Sequence, residues 1–83
     1  MFAKLYDTEV GQILVKIDDG DDGAEVRFYF EPEKLGVCSI AITWGQDDKE
    51  TQWKKADAAF EKITKDVATK LVKRTIAETP FIK

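Results

Sequence analysis

The chain has 83 residues, which is enough for one small folded domain and close to the lower size limit for a single hydrophobic core. Hydrophobic residues make up 43% of it and charged residues 35%, a balance typical of folded globular proteins. It contains no histidine and a single serine, Ser39. This composition excludes Ser–His–Asp triads, histidine acid–base catalysis and histidine–cysteine zinc sites within the chain.

The single cysteine, Cys38, permits no internal disulfide and indicates the reducing cytoplasm as the location. Its apolar neighbours Val37, Ile40 and Ile42 predict a buried thiol, with no histidine to activate it. The first ten residues lack the basic start and apolar stretch of a secretion signal, and no apolar run is long enough to cross a bilayer. We therefore expect a cytoplasmic protein without membrane contact.

Charge is distributed unevenly along the chain, although the net charge is only −3. Residues 1–50 carry 12 acidic and 5 basic side chains, whereas residues 51–83 carry 4 acidic and 8 basic ones. The first part is therefore acidic and the second basic. We expect the lysines of the second part to form a solvated helix surface.

Four segments are predicted to be strands because apolar residues alternate with polar ones or stand in short β-branched runs. Turn residues separate them, and Pro32 ends the third because proline cannot donate to a strand ladder. Connections this short allow only antiparallel neighbours, so residues 2–45 predict a four-stranded meander. The predicted strands are residues 2–6, 12–17, 24–30 and 37–44.

From Asp48 onwards the hydrophobic period changes to that of a helix, with Trp53, Ala56, Phe60 and Ile63 on one stripe. One unbroken helix over residues 49–78 would be roughly 45 Å long, and it would overhang strands of roughly 20 Å. Thr64 has the properties of an N-cap, so we place a break there. Residues 48–79 thus form one or two helices, and Val67, Leu71 and Ile76 continue the apolar stripe.

The expected fold class is α+β: a four-stranded antiparallel β-meander followed by one or two C-terminal α-helices packed on one sheet face, in a single domain spanning residues 1–83. The face that the helices cover is expected to carry two sets of alternating apolar side chains. They are Ile13, Val15 and Ile17 with Val26, Phe28 and Phe30, joined by Ile40 and Ile42.

Residues 18–23 read DDGDDG, which raises the question of a calcium site. An EF-hand loop starting at Asp18 would place Gly20 at ligand position 3 and Tyr29 at position 12, where a bidentate glutamate belongs. The segment also lies between strands, whereas the EF-hand motif needs flanking helices. We therefore predict no metal site and interpret the segment as a hairpin tip, in which Gly20 and Gly23 supply positive φ.

The meander topology adds a second acidic segment to this tip, since the exit from the fourth strand lies at the same end of the sheet. We call this end the acidic pole, and we predict that it binds a protein with a basic surface. Solvated acidic loops remain the alternative interpretation. The pole comprises Asp18, Asp19, Asp21, Asp22, Asp47, Asp48 and Glu50.

The sheet face away from the helices mixes apolar and basic residues and is a candidate self-association surface. We assign Tyr6, Leu14, Lys16, Arg27 and Tyr29 to it, together with Phe2 or Leu5 according to the phase of the first strand. A homodimer through this face or through edge-strand pairing is one possibility, and a folded-back tail at residues 81–82 is another. Aromatic and basic residues on a bare sheet also permit single-stranded nucleic-acid binding, but two bases on an acidic protein argue against it.

The sequence therefore predicts a non-enzymatic protein-binding domain that needs no cofactor. In size and composition it resembles small phage or mobile-element proteins that bind and inhibit host machinery, although no motif carries that resemblance. The alternatives are single-stranded nucleic-acid binding on the open face and a metal-binding enzyme subunit with paired carboxylates.

Overall fold

The computed structural model describes residues 3–20, 23–32 and 35–79. Four strands are followed by two helices, as the sequence predicts, and the strands form one antiparallel sheet in the order β1-β2-β3-β4. The elements are β1 (Ala3–Thr8), β2 (Gly11–Gly20), β3 (Gly23–Phe30), β4 (Cys38–Thr43), α1 (Lys49–Lys62) and α2 (Lys65–Glu78).

The strand register fixes which side chains share a face. Tyr6 lies opposite Ile13, Val15 opposite Phe28, and Val26 opposite Ile42. Because neighbouring residues of a strand point to opposite sides, these side chains all lie on the inner face, which the helices cover. The alternate residues form the open face.

The hydrophobic core fills the space between the inner face and the helices. Fully buried residues of β2 and β3 supply one side of it, and apolar positions of both helices supply the other. Burying a side chain of this size contributes about 1.5–3 kcal/mol, so this contact accounts for most of the cohesion of the two layers. The core residues are Ile13, Val15, Ile17, Ala24, Val26, Phe28, Phe30, Ala56, Phe60, Ile63, Ala68 and Val72.

Two helices form, with the break at the predicted position. The hydroxyl of Thr64 accepts a hydrogen bond from the N–H of Val67 at 3.3 Å and begins α2. Because α2 begins at its own cap, its buried positions are not in helical phase with the apolar stripe of α1. Ala68 and Val72 are its buried residues, whereas Val67, assigned to the stripe from the sequence, is 45% exposed.

The helical layer does not extend over the whole sheet. Helix α1 packs on β3 and β2, and α2 packs on β1, β2 and β3. On the edge strand β4, Ile40 and Cys38 are only half-buried and Ile42 is 40% exposed. Ile40 packs against the core, as predicted, although it is only partly covered. The thiol of Cys38 is half-buried and not buried as predicted, and the prediction that Ile42 is covered is wrong, because the helices pack mainly on β1–β3.

Two polar side chains on the inner face of β1 hold the end of α1. The ammonium of Lys4 donates to the carbonyls of Phe60 at 2.6 Å and Ile63 at 3.1 Å, and it lies 4.4 Å from the centre of the Phe60 ring. The hydroxyl of Tyr6 donates to the Ile63 carbonyl at 3.2 Å. The last carbonyls of a helix lack partners within it and carry partial negative charge, so a cation here stabilises the helix end.

None of the helices described for this chain is long and apolar enough to cross a membrane.

Substitution of Lys4 by Met tests this anchor, since Met keeps most of the apolar stem and removes the charge. We expect Lys4→Met to lower the free energy of unfolding by about 1–2 kcal/mol, because two carbonyls lose a charged donor. Tyr6→Phe should cost about 1 kcal/mol. Urea denaturation followed by circular dichroism measures both values.

The matched control is Lys16→Met, which removes a half-buried lysine from the open face of β2. We expect a change within about 0.5 kcal/mol there. Equal destabilisation by Lys4→Met and Lys16→Met would contradict the assigned anchor.

Candidate functional site

The first half of the acidic pole is the β2–β3 hairpin. Strand β2 continues through Asp18 and Asp19 to Gly20, which lies opposite Gly23, the first residue of β3. Four of the six residues interpreted as a tip are therefore strand. Both aspartates are exposed, and the backbone N–H of Asp19 donates to the carboxylate of Asp18 at 2.9 Å. The predicted pole residues Asp21 and Asp22 lie outside the described residues.

A buried carboxylate lies beside this hairpin on the open face. Glu25 is 3% exposed and accepts a hydrogen bond from the Nε of Arg27, whose Nη1 donates to the hydroxyl of Ser39 at 2.8 Å. The hydrogen bond to Glu25 raises the pKa of Arg27 above its ordinary value. A Cβ at Gly20 would lie 1.6 Å from the Glu25 carboxylate, and Gly20 does not have the positive φ predicted for it. Gly20 therefore provides room for Glu25.

The second half of the pole is the connection from β4 to α1, where the carboxylates have partners. Asp47 forms an ion pair with Lys55 at 2.7 Å, and Glu50 forms one with Lys54 at 3.4 Å. Asp48 is the N-cap of α1 and accepts a hydrogen bond from the N–H of Thr51 at 2.7 Å. These acids begin and support the helix, in addition to charging the surface.

The cap has a consequence for pH dependence. The hydrogen bond from the Thr51 backbone lowers the pKa of Asp48 below its ordinary value. A group whose pKa is lowered by folding stabilises the native state above its unfolded-state pKa, and this contribution is lost as the pH falls through the lowered value. The cap therefore weakens only in acid.

One buried amide joins the two halves of the pole. Gln52, which is 7% exposed, accepts a hydrogen bond from the N–H of Ala24 at 3.3 Å and donates to the carbonyl of Asp47 at 3.0 Å. Ala24 is the second residue of β3, and Asp47 belongs to the exit loop. The structure thus places the two acidic segments side by side at one end of the sheet.

The charges of the two halves differ in their availability. Asp47, Asp48 and Glu50 are engaged by a lysine or by the helix N-terminus, whereas Asp18 and Asp19 face solvent. Within residues 3–20, 23–32 and 35–79, no three acidic or cysteine side chains converge in a way that could hold a metal ion. The described pole offers exposed carboxylate oxygens, which accept hydrogen bonds from ammonium and guanidinium groups.

The open face differs from its prediction at one residue. Leu14, Lys16, Arg27 and Tyr29 lie on it, but Tyr6 points to the helices, because β1 pairs with β2 in the register that places Tyr6 opposite Ile13. Its position on the open face is taken by Leu5, which is 60% exposed. A shallow depression of about 280 Å³ lies on this face, lined by Gln12, Leu14, Tyr29, Phe30, Glu31 and Val37. The predicted alternatives Phe2 and residues 81–82 lie outside the described residues.

The sequence did not reveal the two buried polar residues of the pole. Gln52 precedes Trp53, and the apolar stripe assigned Trp53 to the core, whereas Gln52 is buried and Trp53 only half-buried. A glutamine four positions before Ala56 occupies a core position of α1, and this spacing could have indicated that Gln52 is buried. Glu25 follows the strand alternation onto the open face, and no sequence signal indicates its burial.

Gly23→Ala tests the contact between the hairpin and α1. Gly23 has φ +96°, and a Cβ there would lie 1.9 Å from the Gln52 carbonyl oxygen. Alanine should cost about 1–2 kcal/mol for the left-handed backbone and about 1–3 kcal/mol more for the displaced amide. Urea denaturation measures the sum.

Gly11→Ala is the matched control because Gly11 has φ +95° and open space where a Cβ would stand. It should show only the backbone cost. The double variant Gly23→Ala/Gln52→Ala should be less destabilised than the sum of the two single variants, because the clash between the new Cβ and the Gln52 side chain is gone. Equal costs at Gly11 and Gly23, or strictly additive effects, would contradict the contact.

No protein-family model matches the chain, and comparisons with curated proteins and with solved structures found no significant match.

Proposed function

We propose that this chain is a non-enzymatic, cytoplasmic protein-binding domain that presents its acidic pole to a basic surface of another protein. The observation that carries the proposal is the Gln52 bridge, which holds two acidic segments next to each other. In the phage or mobile-element setting suggested by its size, binding would inhibit or modulate a host protein. The single cysteine supports the cytoplasmic assignment.

Preorganisation supports this function. Like charges gathered at one end of a small domain repel one another, and a buried hydrogen-bonded side chain that keeps them together opposes this repulsion. A surface that is fixed before binding loses little conformational entropy when a partner arrives. The pair Asp18 and Asp19 faces solvent, whereas Asp47 is ion-paired with Lys55, so this pair is the part expected to contact the partner first.

The partner is expected to present lysine or arginine side chains. Exposed carboxylates attract such groups over distances set by the screening length, about 10 Å at 0.1 M salt. Charge complementarity of this kind mainly raises the association rate and the specificity. Asp47 and Glu50 would exchange their intramolecular lysines for those of the partner, so they contribute less than Asp18 and Asp19.

The open face gives less support to nucleic-acid binding. In the strands that the structure describes, its cations are Lys16 and Arg27, and Arg27 is already bound to Glu25. Asp7 and Asp18 lie on the same face as these cations, and they would repel phosphates. Tyr6, which would have added an aromatic platform, faces the helices.

Neutralising the pole tests the proposal. A variant with six aspartates replaced by asparagine should lose at least tenfold in partner affinity, mainly through a slower association rate. Asparagine at position 48 keeps an oxygen that can cap α1, so the fold should survive. The replaced residues are Asp18, Asp19, Asp21, Asp22, Asp47 and Asp48.

The matched control removes six acidic charges away from the pole and so reaches the same net charge. Both variants and the wild type are immobilised at equal density and exposed to soluble extract of the native source. The captured proteins are quantified at salt concentrations from 0.05 to 0.5 M, over which the screening length falls from about 14 to about 4 Å. Partners retained by the wild type and the control but lost by the pole variant support the proposal. Equal capture by all three would refute it. The control residues are Asp7, Glu31, Asp57, Glu61, Asp66 and Glu78.

A further inference from the structure

The two edges of the sheet differ in their protection against pairing with another strand. Strand β1 carries Lys4, an inward-pointing charge tied to α1, and Asp7 on the other face. Such charges are a common means by which proteins block edge pairing. Strand β4 reads CSIAIT, with no charge and no proline. Within the described residues it pairs with β3 on one side only.

Exposed apolar side chains are concentrated within and shortly before the same strand. Five large hydrophobic residues are exposed in the part of the chain that the structure describes, and three of them are Leu35 at 43%, Val37 at 69% and Ile42 at 40%. Ile42 lies within β4, Val37 directly precedes it, and Leu35 lies three residues before it. An uncharged strand with apolar side chains left uncovered is the kind of edge that another strand extends.

The sequence of β4 is nearly symmetric about Ala41. Isoleucine stands on both sides of it, at 40 and 42, and a hydroxyl residue stands one step further, Ser39 before and Thr43 after. In an antiparallel pair of two β4 strands centred on Ala41, Ile40 meets Ile42 of the second copy on the inner face, and Ser39 meets Thr43 on the open face. Apolar pairs and hydroxyl pairs are both favourable across antiparallel strands.

We infer that β4 is a self-association edge, through which two copies of this chain form one continuous eight-stranded antiparallel sheet about a two-fold axis at Ala41. This interface uses the same strand of both copies, as a two-fold symmetric contact requires. It lies beside the acidic pole and does not depend on the function proposed for it. It differs from an open-face dimer in leaving Leu14 and Tyr29 free.

The charge distribution favours a second copy in the antiparallel orientation. Strand β4 runs towards the pole, so antiparallel pairing places the two poles at opposite ends of the joint sheet. Six residues at about 3.3 Å each separate them by roughly 20 Å along the edge, beyond the screening length of about 8 Å at physiological salt. The interface buries no charge from β4.

The oligomeric state is measured by analytical ultracentrifugation of the purified protein over a wide concentration range. We expect a reversible dimer with twice the monomer mass of 9.4 kDa. Ile42→Lys should raise the dissociation constant of the dimer at least tenfold. Leu5→Lys, at the exposed leucine of the opposite edge, should leave this constant unchanged. A monomer at all concentrations, or a dimer split by Leu14→Lys and not by Ile42→Lys, would overturn the inference.

A cross-linking experiment tests the register without disturbing the apolar edge. In a Cys38→Ala background, Ala41→Cys places two thiols directly opposite each other across the two-fold axis. Paired residues of antiparallel strands have Cα atoms about 4.5–5.5 Å apart, within the range of a disulfide. Mild oxidation with diamide should then convert most of the protein into a covalent dimer.

Thr43→Cys in the same background is the matched control, since position 43 is also exposed and lies on the same face of β4. In the inferred register the two introduced thiols would be four residues apart along the edge, roughly 13 Å, too far for a disulfide. Rapid cross-linking of Ala41→Cys alone supports the register. Equal cross-linking of both variants, or of neither, would refute it.

Discussion

The arrangement of the two layers depends on how α1 is held at both of its ends. At its start the Gln52 amide binds the backbone of β3, and at its finish the Lys4 ammonium and the Tyr6 hydroxyl bind its last carbonyls from β1. These contacts direct the helix diagonally across the inner face, from the pole to the opposite edge. Hydrophobic burial brings the helix to the sheet but has no preferred direction, so the polar contacts decide where it lies.

The partial exposure of the fourth strand follows from the placement of both helices. Helix α1 packs on β3 and β2, and α2 packs on β1, β2 and β3. Lys73 of α2 is also paired with Glu9, in the turn between β1 and β2, at 2.8 Å. Neither helix packs on β4 to a comparable extent, so the exposed apolar surface of the inner face falls on that strand.

The sequence was sufficient for the element order, the meander and the break at Thr64, because each rests on a local signal: period-two alternation, short turns or a capping hydroxyl. It was insufficient wherever a polar residue is buried. Lys4 and Gln52 are hydrophilic by type, and their hydrogen-bond partners are distant in the chain. Glu25 is paired with Arg27 two residues along the same strand, but its burial also depends on the room that Gly20 leaves across the hairpin. The phase of β1 depended on a register that its short apolar pattern did not specify, and Tyr6 was misplaced for that reason.

The same reasoning explains what could be predicted of the candidate site. The two acidic segments are visible in the sequence, and the topology places them at one end, but the amide that connects them is not. That amide does not titrate and carries no net charge. Added salt therefore weakens the electrostatic potential of the pole without acting on the bridge that sets its spacing. In this protein the spacing of the two acidic segments and the electrostatic potential of the pole are therefore set by different interactions.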